Sequence, residues 1–461
     1  MAVAARRIPV ALPWRQARRV GQRLTWGIAD QGVSSLTNFL LNVYVARTLG
    51  AEEFGAFSLA YVTYGFAINA SRGLSIEPLL IRFSGTDLRT WQRAAAGCAG
   101  TALLVGVATG AAALAVAAVA GGTVGLAFFA LGLMLPGLLL QDSWRYAFFA
   151  VGRGYHAFLN DVIWAAVQIP LLVIMKMTGH ATVFWFVLAW GAGAVVGAAV
   201  ASLQARVVPS LAGARHWLVR HRDLGPRYLL ENTGGNAAGT VQSYCTSSIL
   251  GLAAVGDIQA ANVPMGPFRI VYYGLGMITI PEATRVLRRS PRRLPFFCAV
   301  ASIALTLLAL SWGVVLLVAL PMGLGHLMLG ALWRPAYPLV LPTTLAIMAM
   351  CATGGAAIGL HALGAAHRSM RATLITSAVV VAGAVVGAVT GGALGTLLFV
   401  AGGTWFGALL SWLEFRQAMH DSGTVPVPQW LWPQSSGRHH KAAGANSGNR
   451  RHIRKGTTLQ R

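Results

Sequence analysis

Two arginines stand where an arginine is costly. Arg72 and Arg269 each lie inside a long apolar run, Arg72 about ten residues from one end and Arg269 near the middle. A guanidinium at the centre of a membrane helix costs roughly 2.5–3.5 kcal/mol on the insertion scale. Each therefore needs either a counter-charge or a ligand. Structural ion pairs with Asp30, Glu77 or Glu231 would supply the first. The second would be an anion, because the guanidinium is a planar fork that grips phosphate bidentately.

Polar residues gather in the same region of the pattern. Asp30, Ser34, Asn38 and Asn42 recur every four residues in one apolar run. Asn232, Asn236, Thr240, Ser243 and Ser247 follow three or four apart in another, with Glu231 beside them. That spacing paints a stripe on one face of a helix. Lipid cannot satisfy such a stripe, so it must face a water-filled cavity or other protein. Helix-to-helix hydrogen bonding for packing alone is the plain alternative. The candidate substrate-binding residues are Arg72, Arg269, Asn38, Asn42, Asn236 and Ser243, with Asp30 and Glu231 as ion-coupling or ion-pair candidates. Glu77 and Glu282, next to Pro78 and Pro281, fit pairing with arginines at helix ends. Asp142, Asp161 and Glu414 read as interfacial. The four cysteines (Cys98, Cys245, Cys298, Cys351) are widely separated inside apolar runs and read as small hydrophobes. No metal site, cofactor or catalytic residue is expected.

The elements that position these residues follow from composition. The 461 residues are 56% hydrophobic and 11% charged, against about 25% charged for a soluble domain. Such a chain cannot cover a surface with polar groups, but lipid accepts it if the backbone satisfies itself. The apolar runs are continuous rather than alternating, which predicts an all-α polytopic protein and excludes a barrel. The net charge of +23 would suggest nucleic acid if it formed a patch. It sits instead in short clusters between runs, a topology signal, and no nucleic-acid partner is expected. Only three of the 36 basic residues are Lys, which with heavy use of Ala, Gly and Val points to a GC-rich, bacterial genome. No short apolar segment with a cleavage site follows the basic start, so no signal peptide is expected.

At about 20 residues per crossing, the runs give twelve spans: 24–46, 55–82, 94–119, 122–147, 157–178, 181–205, 228–251, 257–284, 296–320, 338–363, 370–390 and 393–418. They divide the chain into a basic cytoplasmic segment 1–23, a six-helix lobe 24–205 and a basic cytoplasmic link 206–227. A second six-helix lobe 228–418 and a basic, disordered cytoplasmic tail 419–461 follow. With both termini in the cytoplasm, 31 of the 36 basic residues fall inside and only Arg47, Lys176 and Arg334 outside. That asymmetry supports both the orientation and the number of spans. The basic loops and tail would meet anionic lipid headgroups. The external links are short, and the one around Leu332–Pro335 is the longest.

The halves also repeat. At an offset of 201 residues, Leu49-Gly50 returns as Leu250-Gly251, Gly55 as Gly256, Gly73-Leu74 as Gly274-Leu275, Asp30 as Glu231 and Asn42 as Ser243. Matches at one offset and at matching topological places indicate a duplication. Each half has an even number of spans, so the repeats are parallel, and transporters built so bind substrate between the halves.

The segment FLLNVYVARTLGAEEFGAFSLAYV, with Ala46, Arg47, Leu49, Gly50, Glu52, Phe54 and Gly55, resembles the polysaccharide-exporting branch of the multidrug/oligosaccharidyl-lipid/polysaccharide exporter superfamily. LGLAAVGDIQAANVPMGPFRIVYYGLGMITIPEATR and HALGAAHRSM are similar to the same family's helix 7–8 and 10–11 regions. The resemblance implies two six-helix lobes that carry a lipid-linked oligosaccharide from the inner to the outer leaflet of a bacterial inner membrane. It further implies that Arg72 and Arg269, on the second and eighth spans, hold the pyrophosphate of the lipid carrier. The superfamily's peptidoglycan-precursor flippases have fourteen spans, and twelve are expected here. A cation-coupled multidrug exporter of the same superfamily is the alternative, and should line its cavity with carboxylates. A glycan-processing membrane enzyme would need larger external loops than these. A non-transporting scaffold would have no need of a duplication.

Overall fold

A backbone crossing hydrocarbon must pair its polar groups within its own segment. The chain meets that demand with helices, and no strand occurs among the described residues. The structure is a computed structural model that describes residues 14–422, without the side chains of residues 14–24, 235–236, 273–274, 276–278, 280–281 and 422.

In the first half, α1 (Trp14–Thr48) leads into α2 (Ala51–Ser71), which passes through a π-helical turn (Arg72–Ile76) into α3 (Glu77–Phe83). Then follow α4 (Leu88–Ala120), α5 (Gly122–Ala150), α6 (Gly154–Met177) and α7 (Val183–Ala205). A short helix, α8 (Leu211–Arg220), joins the halves. The second half opens with α9 (Gly225–Leu250) and α10 (Leu252–Asn262), then a 3-10 turn (Val263–Met265) into α11 (Gly266–Arg289). It closes with α12 (Leu294–Ala319), a short α13 (Gly325–Leu329), α14 (Trp333–Ala362) and α15 (Ala366–Ser422). The last element is two crossings, folded back at Gly391–Gly392, where Gly392 takes φ +60°. That conformation suits a residue without a Cβ.

Each predicted span falls on a helix, a helix pair or one arm of α15, with ends within about six residues except at α1, which begins ten residues before its predicted start, giving a polytopic bundle of two six-helix halves. The basic link carries α8, a helix that the sequence reading left unassigned. Ser210 caps it by accepting from the backbone N–H of Gly213 at 2.9 Å. The segment predicted for 1–23 is already helical from Trp14, and residues 1–13 lie outside the described residues. Helix α15 continues to Ser422, and the tail from 423 onward lies outside them too.

Six helical stretches are long and apolar enough by composition to cross a membrane, and two of them contain two crossings each. The crossings left out are α1, α2–α3, α9 and α10–α11, the first two of each half. These are the helices bearing the polar stripes and both central arginines. Their polarity makes sense only if they are inside.

Small residues set the packing, as expected where lipid removes the hydrophobic drive. Gly106 and Gly110 of α4 lie flush against Pro136 and Gly132 of α5, and Gly193 and Gly197 of α7 against Trp164 and Asn160 of α6. The Gly235/Gly239 pair behaves differently, because Gly239 has nothing within 4 Å of where a Cβ would stand. The halves meet mainly through α2, which runs along α9 and α10. Thr63 and Tyr244 hydroxyls bond across that seam at 2.6 Å, and a Cβ on Gly73 would strike the Leu229 backbone. Contact between α1 and α11 is slighter. Phe39 covers Gly266 there, while Ile28, Leu36 and Leu40 of α1 stay exposed.

Candidate functional site

Between the halves lie two adjoining cavities of about 300 and 540 Å³ that share Tyr61, Val62, Gln259, Asn262 and Arg269. Asn38 and Asn42 of the α1 stripe line the first, with Gln31 and Ser35 beside them, whereas Asp30 and Ser34 do not. Thr240 and Ser243 of the α9 stripe line the second, with Gln242 and Thr246 beside them, and Thr343 and Thr404 come from α14 and α15. Helical spacing of three and four aligns these groups, and the halves bring the two aligned faces together. The polar groups of the wall are amides and hydroxyls, set among apolar side chains such as Phe39, Ile258 and Leu397, with Arg269 as the ionised group; among the described residues no Asp or Glu lines either cavity.

Several stripe members satisfy a side-chain donor on their own helix backbone. Asn38 Nδ2 donates to Ser34 O at 3.0 Å, Asn42 Nδ2 to Asn38 O at 2.8 Å, and Ser243 Oγ to Gly239 O at 2.9 Å. Such bonds to the preceding turn spare the helix from unsatisfied groups. Asn38 and Asn42 thus line one cavity and Ser243 the adjoining one, with Arg269 on both. The side chain of Asn236 lies outside the described residues. Glu231 is exposed on α9 and lines neither cavity.

Arg72 is elsewhere. Its Nε and Nη2 donate to Asp142 Oδ2 and Oδ1, both at 2.8 Å, and its guanidinium lies 5.1 Å from the centre of the Tyr146 ring. The counter-ion is therefore none of Asp30, Glu77 and Glu231 but a carboxylate on α5 that the sequence reading placed at an interface. Asp142 is 3% exposed. Arg72 opens the π-helical turn of its crossing, a local widening often found at functional positions.

Asp30 belongs to a second buried cluster. Arg145 Nε donates to Asp30 Oδ2 at 2.7 Å and lies 3.5 Å from Asp161 Oδ2, and Arg145 Nη2 donates to Gln31 Oε1 at 3.3 Å. Gln141 Nε2 donates to Asp161 Oδ1 at 2.9 Å and to Asn160 Oδ1 at 3.1 Å, and Asn160 Nδ2 to Gly197 O at 2.7 Å. Arg145, at the end of a predicted span, and Asp161, read from sequence as interfacial, both lie inside the first half, their side chains 11% and 3% exposed. Across this cluster Asp30, Asp142 and Asp161 face Arg72 and Arg145, one negative charge in excess. Asp30 Oδ1, Asp161 Oδ2 and Gln168 Nε2 are buried without a hydrogen-bond partner. Glu414, the third carboxylate read as interfacial, is 2% exposed. It ties the arms of α15 together through Arg368 at 3.0 Å and Arg371 at 2.8 Å.

The signal for the missed cluster was in the sequence: Gln141, Asp142, Arg145 and Tyr146 stand within about a turn and a half in the last part of a long apolar run. Among the described residues no group of His, Cys, Asp and Glu could hold a metal ion.

No protein-family model matches the chain, and no curated protein matches its sequence. Solved structures do. An inward-facing multidrug-resistance MATE-family transporter of the MOP superfamily matches at TM-score 0.65 and 14% identity, over 85% of this chain and 96% of that one. The lipid II flippase MurJ, in an inward closed conformation, matches at 0.63 and 11%, over 88% and 95%. A MOP-superfamily transporter from Pyrococcus furiosus, described as having a binding pocket of reversed polarity, matches at 0.57 and 13%, over 88% and 97%.

The fold is that of MOP-superfamily transporters.

At these identities the likeness concerns fold alone. The proteins that share it here are transporters and a flippase rather than enzymes. Two of them are described as inward conformations. The position of the cavity between the two six-helix halves of this chain accords with that architecture.

Proposed function

We propose that this protein is a flippase that carries a lipid-linked oligosaccharide from the inner to the outer leaflet of a bacterial inner membrane by alternating access. The observation that carries the reading is the cavity wall, in which amides and hydroxyls surround one arginine and no carboxylate. Amides and hydroxyls both donate and accept, which suits the hydroxyls of a sugar. Arg269 suits the phosphate that links sugar to lipid, since a guanidinium in a water-poor site binds an oxyanion more strongly than in bulk water. Asn38, Asn42, Asn236 and Ser243 would contact the sugar. The slight contact between α1 and α11, flanked by the exposed Leu36 and Leu40, would let the lipid chain remain in the bilayer. Arg72 would reach the phosphate only when Asp142 releases it.

The arginine-rich end, with both termini, would face the cytoplasm, and the basic link and tail would rest against anionic headgroups. The two lobes of the mechanism would be residues 24–205 and 228–418. The excess negative charge around Asp30 and Asp161 would take up a coupling proton or cation, and Glu231 would serve only as a surface ion-pair residue.

The competing reading is a cation-coupled multidrug exporter. The carboxylates of the first half favour it, but they lie outside the shared cavity, where a cationic drug would need them. The test is transport of a fluorescent prenyl-diphosphate-linked sugar in proteoliposomes. Arg269→Ala should abolish it and Arg269→Lys should retain part. Undiminished transport by Arg269→Ala, with export of cationic dyes, would replace this reading with its rival.

A further inference from the structure

Arg72 and Arg269 are both central arginines on the second crossing of a half, yet they are held in opposite ways. Arg72 meets a carboxylate, which cancels its charge. Arg269 meets an amide: its Nη2 donates to Asn262 Oδ1 at 2.8 Å. Among the described residues no carboxylate lies within salt-bridge reach of Arg269.

The pairing depends on how the eighth crossing is broken. Asn262 ends α10, the 3-10 turn Val263–Met265 follows, and α11 begins at Gly266. Pro264 and Pro267 supply no N–H across this stretch. Seven residues are two helical turns, so Asn262 and Arg269 share a face. Side chains on a helix lean toward its N-terminus, which sends the arginine back over the break toward the amide. The amide is itself fixed, because Asn262 Nδ2 donates to Ile258 O at 2.9 Å. That bond commits the nitrogen and leaves the oxygen for Arg269, so the two bonds together determine the orientation of the amide. Both residues line both cavities.

We propose that Asn262 is a positioning residue that aims Arg269 into the cavity while leaving its charge uncancelled, and that this choice of amide over carboxylate sets the cavity's preference for anionic headgroups. The inference rests on Arg269 being the anion-binding group. An amide oxygen orients a guanidinium with one hydrogen bond; a carboxylate at the same place would convert the pair into a copy of Arg72–Asp142 and close the site to phosphate.

The experiment measures binding of geranylgeranyl diphosphate and of geranylgeraniol to the purified full chain in nanodiscs. The readout is the ratio of the two affinities, which general loosening of the fold would not shift selectively. Wild type should prefer the diphosphate. Asn262→Asp should lower that preference by about tenfold or more, the scale of one charged hydrogen bond, with alcohol binding little changed. Asn262→Ala, which keeps the charge but not the aim, should lower it by a few-fold, and Asn262→Gln, which keeps an amide oxygen, should lose less than Ala. Should Asn262→Asp fail to fold, the order of Ala and Gln decides. If Arg269→Ala loses the preference while the Asn262 variants keep it, the role given to Asn262 is wrong and the anion reading stands. If Arg269→Ala keeps it as well, both fall.

Discussion

Gly55 and Gly256, 201 residues apart, press on each other's helix at the arginine-poor end of the bundle. A Cβ on Gly55 would run into the carbonyl of Leu252, and one on Gly256 into the carbonyl of Ala51. Ala51 and Leu252 are themselves 201 residues apart, so the contact repeats itself across the duplication and brings α2 and α10 backbone to backbone. With the orientation proposed above, this is the seal on the outer side. A leucine at either position should prevent closure, since overpacking a tight contact costs about 1–3 kcal/mol. Gly55→Leu and Gly256→Leu should fold, slow transport at least tenfold, and raise labelling of a cysteine at Ser243 by an impermeant thiol reagent added outside. Unchanged labelling and transport would show that the contact is not the seal.

The Arg72–Asp142 pair should be worth more to stability than its distance from the cavity suggests. Breaking a fully buried pair costs about 3–5 kcal/mol. Here the arginine side chain is 28% exposed, and screening should reduce the loss from Asp142→Ala to about 2 kcal/mol. The double variant Arg72→Ala/Asp142→Ala should be less damaged than the sum of the singles in thermal unfolding of detergent-solubilised protein. Strict additivity would mean that the pair does not couple.

Asp161 should separate stability from coupling. Asp161→Asn removes the excess charge of the cluster and keeps an acceptor for Gln141, so unfolding should be unchanged or slightly later. Transport driven by a proton or sodium gradient should lose its dependence on that gradient. A variant that still follows the gradient as wild type does would exclude the cluster as the coupling site.

The joint between α8 and α9 should be sensitive to acid. His221 packs against Trp217 and Phe83, its Nδ1 lies 2.9 Å from Trp217 O, and its Nε2 is buried without a partner. Burial holds its pKa below the usual 6.5, and Arg82 and Arg220 push the same way. The folded state therefore binds fewer protons than the unfolded state. The resulting stability is intact above about pH 6.5 and declines as the pH falls from there through the lowered folded value. Thermal stability should drop between pH 7 and pH 5, and His221→Leu should flatten that slope. An unaltered slope would place the acid sensitivity elsewhere.

The crossings were legible in the sequence because an apolar run of membrane length admits one backbone solution. The turns were legible too: Gly251, at φ +84°, and Gly50, at φ −72°, stand at the corresponding turn of each half. Spacing singled out the stripe residues Asn38, Asn42 and Ser243, which line two adjoining cavities that both carry Arg269. What escaped were pairings between distant segments. Asp142 is 70 residues from Arg72, and no local pattern connects them. Arg145 stood close enough to the end of its run to pass for a loop residue, although burial on α5 makes it the centre of a polar cluster. Asn262 was hidden because its partner lies two turns away across a break that helical periodicity does not register.

In the flippase proposed above, an uncancelled guanidinium would also have a consequence for the empty carrier. Between loads, a cavity holding Arg269 alone carries positive charge, and turning it outward moves that charge against a cell interior that is negative. Full passage would cost about 2.3 kcal/mol per 100 mV, and any fraction of it biases the unladen protein toward waiting with its mouth to the cytosol. A diphosphate-bearing passenger reverses the sign of the moving body, so the same voltage that parks the vacant protein would help to expel the laden one.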